Sequence, residues 1–327
     1  MSDCNNQNNV LVTSEAKNEG LYKNLVSQVE SIYKHVNEKS YASRARYFEA
    51  TKRFCRFLAD NFRLQNFKNV DNRHFTAYVE YLKEHNAAGT IQSDLSGIRF
   101  FHRHSGSKNK LAKNKELNLP KRAVGKEDRA WLPEEISKAR ELAVAMGRQD
   151  VVTAIDLISA FGLRLEEMCT LKVEYLMSAL KNGQLVVPRG KGGQSRAIQL
   201  TDAQRELIKK YLDYAKAAGR YPGDYLISGS EKHGVLKEKR SLQNWVSYHR
   251  EKFMVANRTE LKEEGKKDKH DTISIHGLRH AFAQNRFERA KKETPGKAKK
   301  VVSEDLGHHR GGITDTYLPL IKTRSKK

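Results

Sequence analysis

Cysteine is scarce in this chain of 327 residues. Cys4, Cys55 and Cys169 are odd in number, and no two lie near enough in sequence to form a metal-ligand pair. This excludes a disulfide framework, gives no sign of a zinc site, and fits a reducing cytoplasm. Long apolar runs are missing too. A membrane span needs about 18 apolar residues in a row, and the stretch VVTAIDLISAFGL is interrupted by Asp156. Residues 1–20, MSDCNNQNNVLVTSEAKNEG, lack the apolar core of a secretory signal and read as a disordered tail. No internal repeat is visible, and the only biased segment is the asparagine-rich tail. The glycine-rich stretch RGKGGQS ends in no Gly-Lys-Ser or Gly-Lys-Thr, which argues against a nucleoside triphosphate site.

Positive charge, by contrast, is abundant. The chain has 61 Lys and Arg against 39 Asp and Glu, a formal charge of +22. An excess of this size points to a polyanionic partner. Without a membrane-spanning run, nucleic acid is favoured over a membrane surface.

Apolar residues recur at helical spacing between about residues 21 and 105: Leu25, Val29, Ile32 and Val36; Tyr47, Thr51, Phe54 and Leu58; Phe75, Val79 and Leu82; Ile91, Leu95 and Ile98. Breaks at NVDNR and NAAGT separate the last two groups, so the spacing predicts a small domain of four helices. Arg46, Arg53 and Arg56 share one side of the second helix, and Arg99 and Arg103 stand one turn apart on the fourth. These five are the candidate DNA-binding arginines. A solvated helix face is the plainer reading of the same pattern.

Residues 106–130 are rich in lysine and read as a basic linker. Pro133, followed by Glu134 and Glu135, opens a new helix, so a second domain is expected over 131–327. Within it, QDVVTAIDLISAF reads as helix, and Gly162 permits a sharp turn into a helix carrying Glu167, Met168 and Leu171. QLVVP and RAIQL, on either side of RGKGGQS, predict a β-hairpin. TDAQRELIKKYLDYAKAAG returns to helix with Thr201 or Asp202 as its N-cap. The expected fold class is mainly α with a small β-hairpin in the second of two domains.

Taken singly, Arg164, Lys191 and Arg279 are ordinary surface charges in so basic a chain. Their spacing makes them specific. The chain carries a G-L-R-x-x-E turn at Gly162, a G-K-G hairpin at Lys191 and an H-x-L-R-H helix start at His276. L-G-H then ends at His308, with a tyrosine nine residues later at Tyr317. In this order, behind a small helical domain, these motifs resemble the tyrosine recombinase family of phage-type integrases and Xer-like site-specific recombinases. The resemblance runs from about residue 21 onward.

That resemblance implies a SAM-like core-binding domain over 21–105, a catalytic domain over 131–327, and a two-domain C-shaped clamp on DNA. It also implies cleavage and rejoining through a 3′-phosphotyrosine without a metal or other cofactor. Tyr317 falls on the nucleophile, Arg164 and Arg279 on the arginines that grip the phosphate, and Lys191 on the general acid. His276 and His308 fall on the two further active-site positions, and Glu167 on a supporting carboxylate. The chemistry suits these residue types, because cations and N–H donors stabilise the charge that builds on phosphate oxygens. His280 and His309 lie beside motif positions and read as packing or surface residues.

The implied partners are a double-stranded recombination site, three further subunits completing a homotetramer on two duplexes, and an accessory DNA-bending factor. The implied location is the bacterial cytoplasm, at the nucleoid. Three features depart from the family's commonest form: Phe161 before the arginine turn, the long basic stretch ERAKKETPGKAKK, and only ten residues after Tyr317. A catalytically silent DNA-binding regulator is the reading from another class, and the intact set of site residues argues against it. A relaxing enzyme like a type IB topoisomerase would share the tyrosine chemistry and differ in its product.

Overall fold

The computed structural model describes residues 17–121, 128–188, 195–228, 232–255, 273–308 and 314–318. The chain divides into two compact units, Met1–Ala123 and Val124–Lys327. Among the described residues the fold is mainly helical with one two-stranded sheet, as the sequence predicts. No described helix is long and apolar enough to cross a membrane. The expected disordered tail falls almost wholly outside the described residues.

In the first unit, α1 (Glu19–His35), α2 (Tyr41–Phe62), α3 (Asn72–His85) and α4 (Ala88–Arg103) answer to the four periodic stretches. Leu25, Val29, Phe54, Leu58, Phe75, Val79, Leu82, Ile91, Leu95 and Ile98 are all buried in one core. The helix starts follow from their caps. Ser40 Oγ accepts from the Ser43 N–H at 3.3 Å, and Asp71 Oδ1 accepts from the Arg73 and His74 N–H groups at 3.0 and 3.3 Å. α2 and α4 touch at Gly97, where an added Cβ would sit 2.9 Å from the Tyr47 Cα.

Residues 106–121, expected as linker, lie on this unit instead. Leu111, Ala112, Leu117 and Leu119 pack against its core among the lysines, and the Ala112 N–H donates to Asn72 Oδ1 at 2.7 Å. These apolar residues, with the bonds from Arg99 to the Ala112 carbonyl and Asn114 Oδ1, hold the basic stretch down.

The second unit begins with α5 (Pro133–Ala145), α6 (Gln149–Phe161), α7 (Leu165–Cys169) and α8 (Val173–Asn182). α6 is its central helix, with Val151, Val152, Ile155, Leu157, Ile158 and Phe161 all buried. β1 (Gln184–Val187) pairs antiparallel with β2 (Arg196–Gln199), matching Val187 with Arg196 and Leu185 with Ile198. The hairpin tip at 189–194 lies outside the described residues. α9 (Asp202–Ala217) is capped by Thr201, whose Oγ1 accepts from the Gln204 N–H at 3.3 Å. α10 (Lys232–Phe253), α11 (His276–Glu293) and α12 (Ala298–Asp305) follow. α10, 22 residues long, is an element that the sequence reading passed over.

Candidate active site

Three stretches of the second unit meet. The first is the turn after α6, where Gly162 adopts φ 59°, a left-handed conformation that glycine alone adopts at little cost. An added Cβ there would collide with the Phe282 ring, so the turn also lies hard against α11. The turn delivers Arg164 to the start of α7. There the Arg164 N–H donates to Glu167 Oε2 and its Nη1 donates to Glu167 Oε1, both at 2.7 Å.

The second stretch is the start of α11. Trp131 Nε1 donates to the Ser274 carbonyl at 2.8 Å, and Gly277 sits against Arg129 and Trp131 with no space for a side chain. His276 and Arg279 are thereby fixed one turn apart. The Arg279 side chain is fully buried. Its Nη1 donates to the Gly162 carbonyl and its Nη2 to the Leu306 carbonyl at 2.6 Å, while Glu167 Oε2 lies 3.9 Å away.

The third stretch follows α12. Gly307, at φ 63°, turns the chain so that His308 faces inward. His308 Nε2 lies 3.4 Å from Arg279 Nη2, and its Nδ1 lies 3.2 Å from Thr314 Oγ1. Arginine only donates, which leaves Nε2 as the acceptor and Nδ1–H as the donor to Thr314. Tyr317 closes the cluster, with its hydroxyl 3.2 Å from His276 Nε2. Its ring stacks on His280 at 4.4 Å, lies 5.0 Å from the His308 ring, and has the Arg279 guanidinium 5.7 Å from its centroid.

Burial and cationic surroundings set the protonation states. Burial, then the charges of Arg279 and Arg164, push His276 down to about 4. Burial and His276 take His280 to about 3, and burial and Arg279 take His308 to about 3. All three imidazoles are therefore neutral near pH 7, and in the tautomer protonated at Nδ1 the His276 Nε2 accepts from the Tyr317 hydroxyl. Burial lowers Arg279 to about 10, which still leaves it charged. Burial alone would raise the Glu167 carboxyl, but its bonds to Arg196 and Arg164 outweigh that and hold it at about 2.

The structure thus brings together Arg164, Glu167, His276, Arg279, His308 and Tyr317. Lys191 and His309 lie outside the described residues. His280, expected as packing, packs on the tyrosine itself. Arg196 was missed. Its guanidinium forks onto Glu167 at 2.8 and 2.7 Å. The available signal was an arginine at an inward-facing strand position, alternating with Ile198, which demands a buried carboxylate.

The candidate DNA-binding arginines have diverse surroundings. Arg53 is paired with the buried Asp94 at 2.8 Å, and Arg99 donates to the Ala112 carbonyl at 3.0 Å and to Asn114 Oδ1 at 2.8 Å. Arg103 is exposed and reaches Glu38 at 3.3 Å, Arg56 lies 4.8 Å over the Tyr22 ring, and Arg46 is exposed.

Residues 135–324 match the Phage integrase family, and residues 25–109 match the Phage integrase N-terminal SAM-like domain. The chain belongs to the phage integrase family, the tyrosine recombinases. A relative within it, the tyrosine recombinase XerD of Oceanobacillus iheyensis, is 25% identical over 84% of this chain and 86% of its own length. Among solved structures, a lambda integrase tetramer bound to a Holliday junction matches with a TM-score of 0.60 at 17% identity, over 89% of this chain and 76% of that one. The XerH site-specific recombinase bound to a palindromic difH substrate matches with a TM-score of 0.56 at 19% identity, over 96% of this chain and 90% of that one. At these identities the structural likeness establishes the integrase fold.

Proposed function

We propose that this site-specific DNA recombinase cuts and rejoins DNA through Tyr317, without a metal ion. The observation that carries the reading is the Tyr317 hydroxyl 3.2 Å from a neutral His276, beside a buried Arg279. The phenol oxygen attacks the scissile phosphorus while its proton passes to His276 Nε2. Arg164 and Arg279 meet the charge that grows on the non-bridging oxygens, and His308 Nε2, accepting from Arg279 Nη2, helps to orient that guanidinium. The 5′ oxygen departs with a proton from Lys191, a role assigned by family resemblance. The 3′-phosphotyrosine conserves the energy of the broken bond. A 5′ hydroxyl from a second duplex then reverses the chemistry and releases Tyr317.

The helical domain over 21–105 and the catalytic domain over 131–327 close around the duplex as a clamp, and four subunits join two duplexes. The lambda integrase tetramer on a Holliday junction supports this assembly by analogy. Arg46 and Arg103, both exposed, are the best-placed phosphate contacts in the helical domain, and Arg56 stays a candidate beside the Tyr22 ring. Arg53 and Arg99, already engaged within the fold, contribute mainly by shaping it.

A nicked suicide duplex carrying the protein's own site tests the reading. The protein is expected to form a denaturant-resistant adduct that Tyr317→Phe abolishes while DNA binding persists and that EDTA leaves unchanged. An adduct formed by the Phe variant, or lost on chelation, refutes it.

A further inference from the structure

The inward face of the β1–β2 hairpin holds Leu185, Val187 and Ile198, and at the fourth inward position it holds Arg196, 8% exposed. An aliphatic residue would serve the core there. A buried ion pair is seldom a net gain in stability over well-packed apolar residues, so the choice calls for another explanation. Arg196 uses its whole fork. Nη1 and Nη2 donate to the two oxygens of Glu167 at 2.8 and 2.7 Å, and Nε donates to the Asp305 carbonyl at 2.9 Å. Its stem fills the space under the next turn, where a Cβ added at Gly307 would sit 3.0 Å from Arg196 Cδ.

The two groups it holds are those that hold the site. Glu167 binds Arg164 at 2.7 Å, and the turn beginning at Asp305 presents the Leu306 carbonyl to Arg279 at 2.6 Å and then His308. We propose that Arg196 is a positioning residue for strand cleavage, bridging Glu167 to the Asp305–His308 turn so that Arg164, Arg279 and His308 stay in one frame around the phosphate. This rests on the recombinase reading above. Lysine carries its three N–H donors on one nitrogen and cannot span both Glu167 oxygens and the Asp305 carbonyl as the three guanidinium nitrogens do.

Single-turnover cleavage of the nicked suicide duplex by the full-length protein tests the proposal, with rate constant and amplitude read separately. Arg196→Gln and Arg196→Lys are expected to bind DNA within about 3-fold of wild type and to cleave with rate constants about 10- to 100-fold lower. A merely structural role would reduce the amplitude, the fraction of folded molecules, and leave the rate constant of those molecules unchanged. Arg196→Lys keeps the charge and decides the matter if the Gln variant does not fold. A wild-type rate constant in Arg196→Lys overturns the proposal alone. Failure of the wild-type protein to form any adduct overturns both the proposal and the recombinase reading.

Discussion

Lys191 and the arginines are assigned different work, and the leaving group tells them apart. A 5′ alcohol, about as weak an acid as water, leaves poorly unless protonated. A 5′ thiol with a pKa of about 8.5, on the cysteine scale, leaves unaided. Lys191→Ala is therefore expected to cleave the oxygen substrate slowly and a 5′-bridging phosphorothiolate at close to the wild-type rate. Arg164→Ala and Arg279→Ala stay slow on both, because the non-bridging oxygens are unchanged. Rescue of an arginine variant in place of Lys191→Ala would move the general acid elsewhere.

The histidines make a second residue-scale prediction. His276, His280 and His308 bind protons less readily in the folded protein, at about 4, 3 and 3, than their ordinary value of 6.5. The unfolded chain therefore takes up protons first, and stability is lost as pH falls from about 6.5 through 4 to 3. Glu167, held at about 2 against an ordinary 4.5, adds to the loss at the acid end. Denaturant melts of wild type and His280→Phe across pH 4 to 7 check this. The variant is expected to show a shallower decline, and equal slopes would contradict the account.

At the scale of elements, Gly162 joins the two arginine motifs. Gly162→Ala would force an L-residue to φ 59° and drive its Cβ into Phe282. The expected cost is about 2–4 kcal/mol, combining left-handed strain with overpacking. Cleavage should slow as well, because the displaced carbonyl is the one that Arg279 holds. Denaturant midpoints compared with wild type measure the stability term, and an unchanged midpoint would contradict the packing described.

Helices such as α1 and α3 were legible in the sequence because Leu25 and Val29, or Phe75, Val79 and Leu82, carry a clear 3.6-residue period. α10 was not legible, since Leu242, Trp245, Val246 and Phe253 are few among many charges. The motif residues around Tyr317 were legible from spacing. Arg196 and the stacking of His280 were not, because both depend on which surfaces the folded chain brings together. The docking of residues 106–121 was hidden for the same reason.

At the scale of the whole molecule, the charge of +22 sets how binding responds to salt. With about six phosphates neutralised, the log–log slope of affinity against salt should be near −5. A slope near −1 would remove the phosphate-dominated account. Separating the domains at about residue 125 should abolish most site selectivity, and a catalytic fragment as selective as the intact chain would contradict the clamp. The covalent chemistry proposed here rests on one atom, the Tyr317 oxygen. After suicide cleavage, nuclease trimming and trypsin digestion, mass spectrometry can locate the covalent nucleotide. The account predicts it on the peptide GGITDTYLPLIK, residues 311–322, whose single tyrosine is Tyr317, linked through a 3′ phosphate. A nucleotide on any other peptide, or a 5′ linkage, would contradict it.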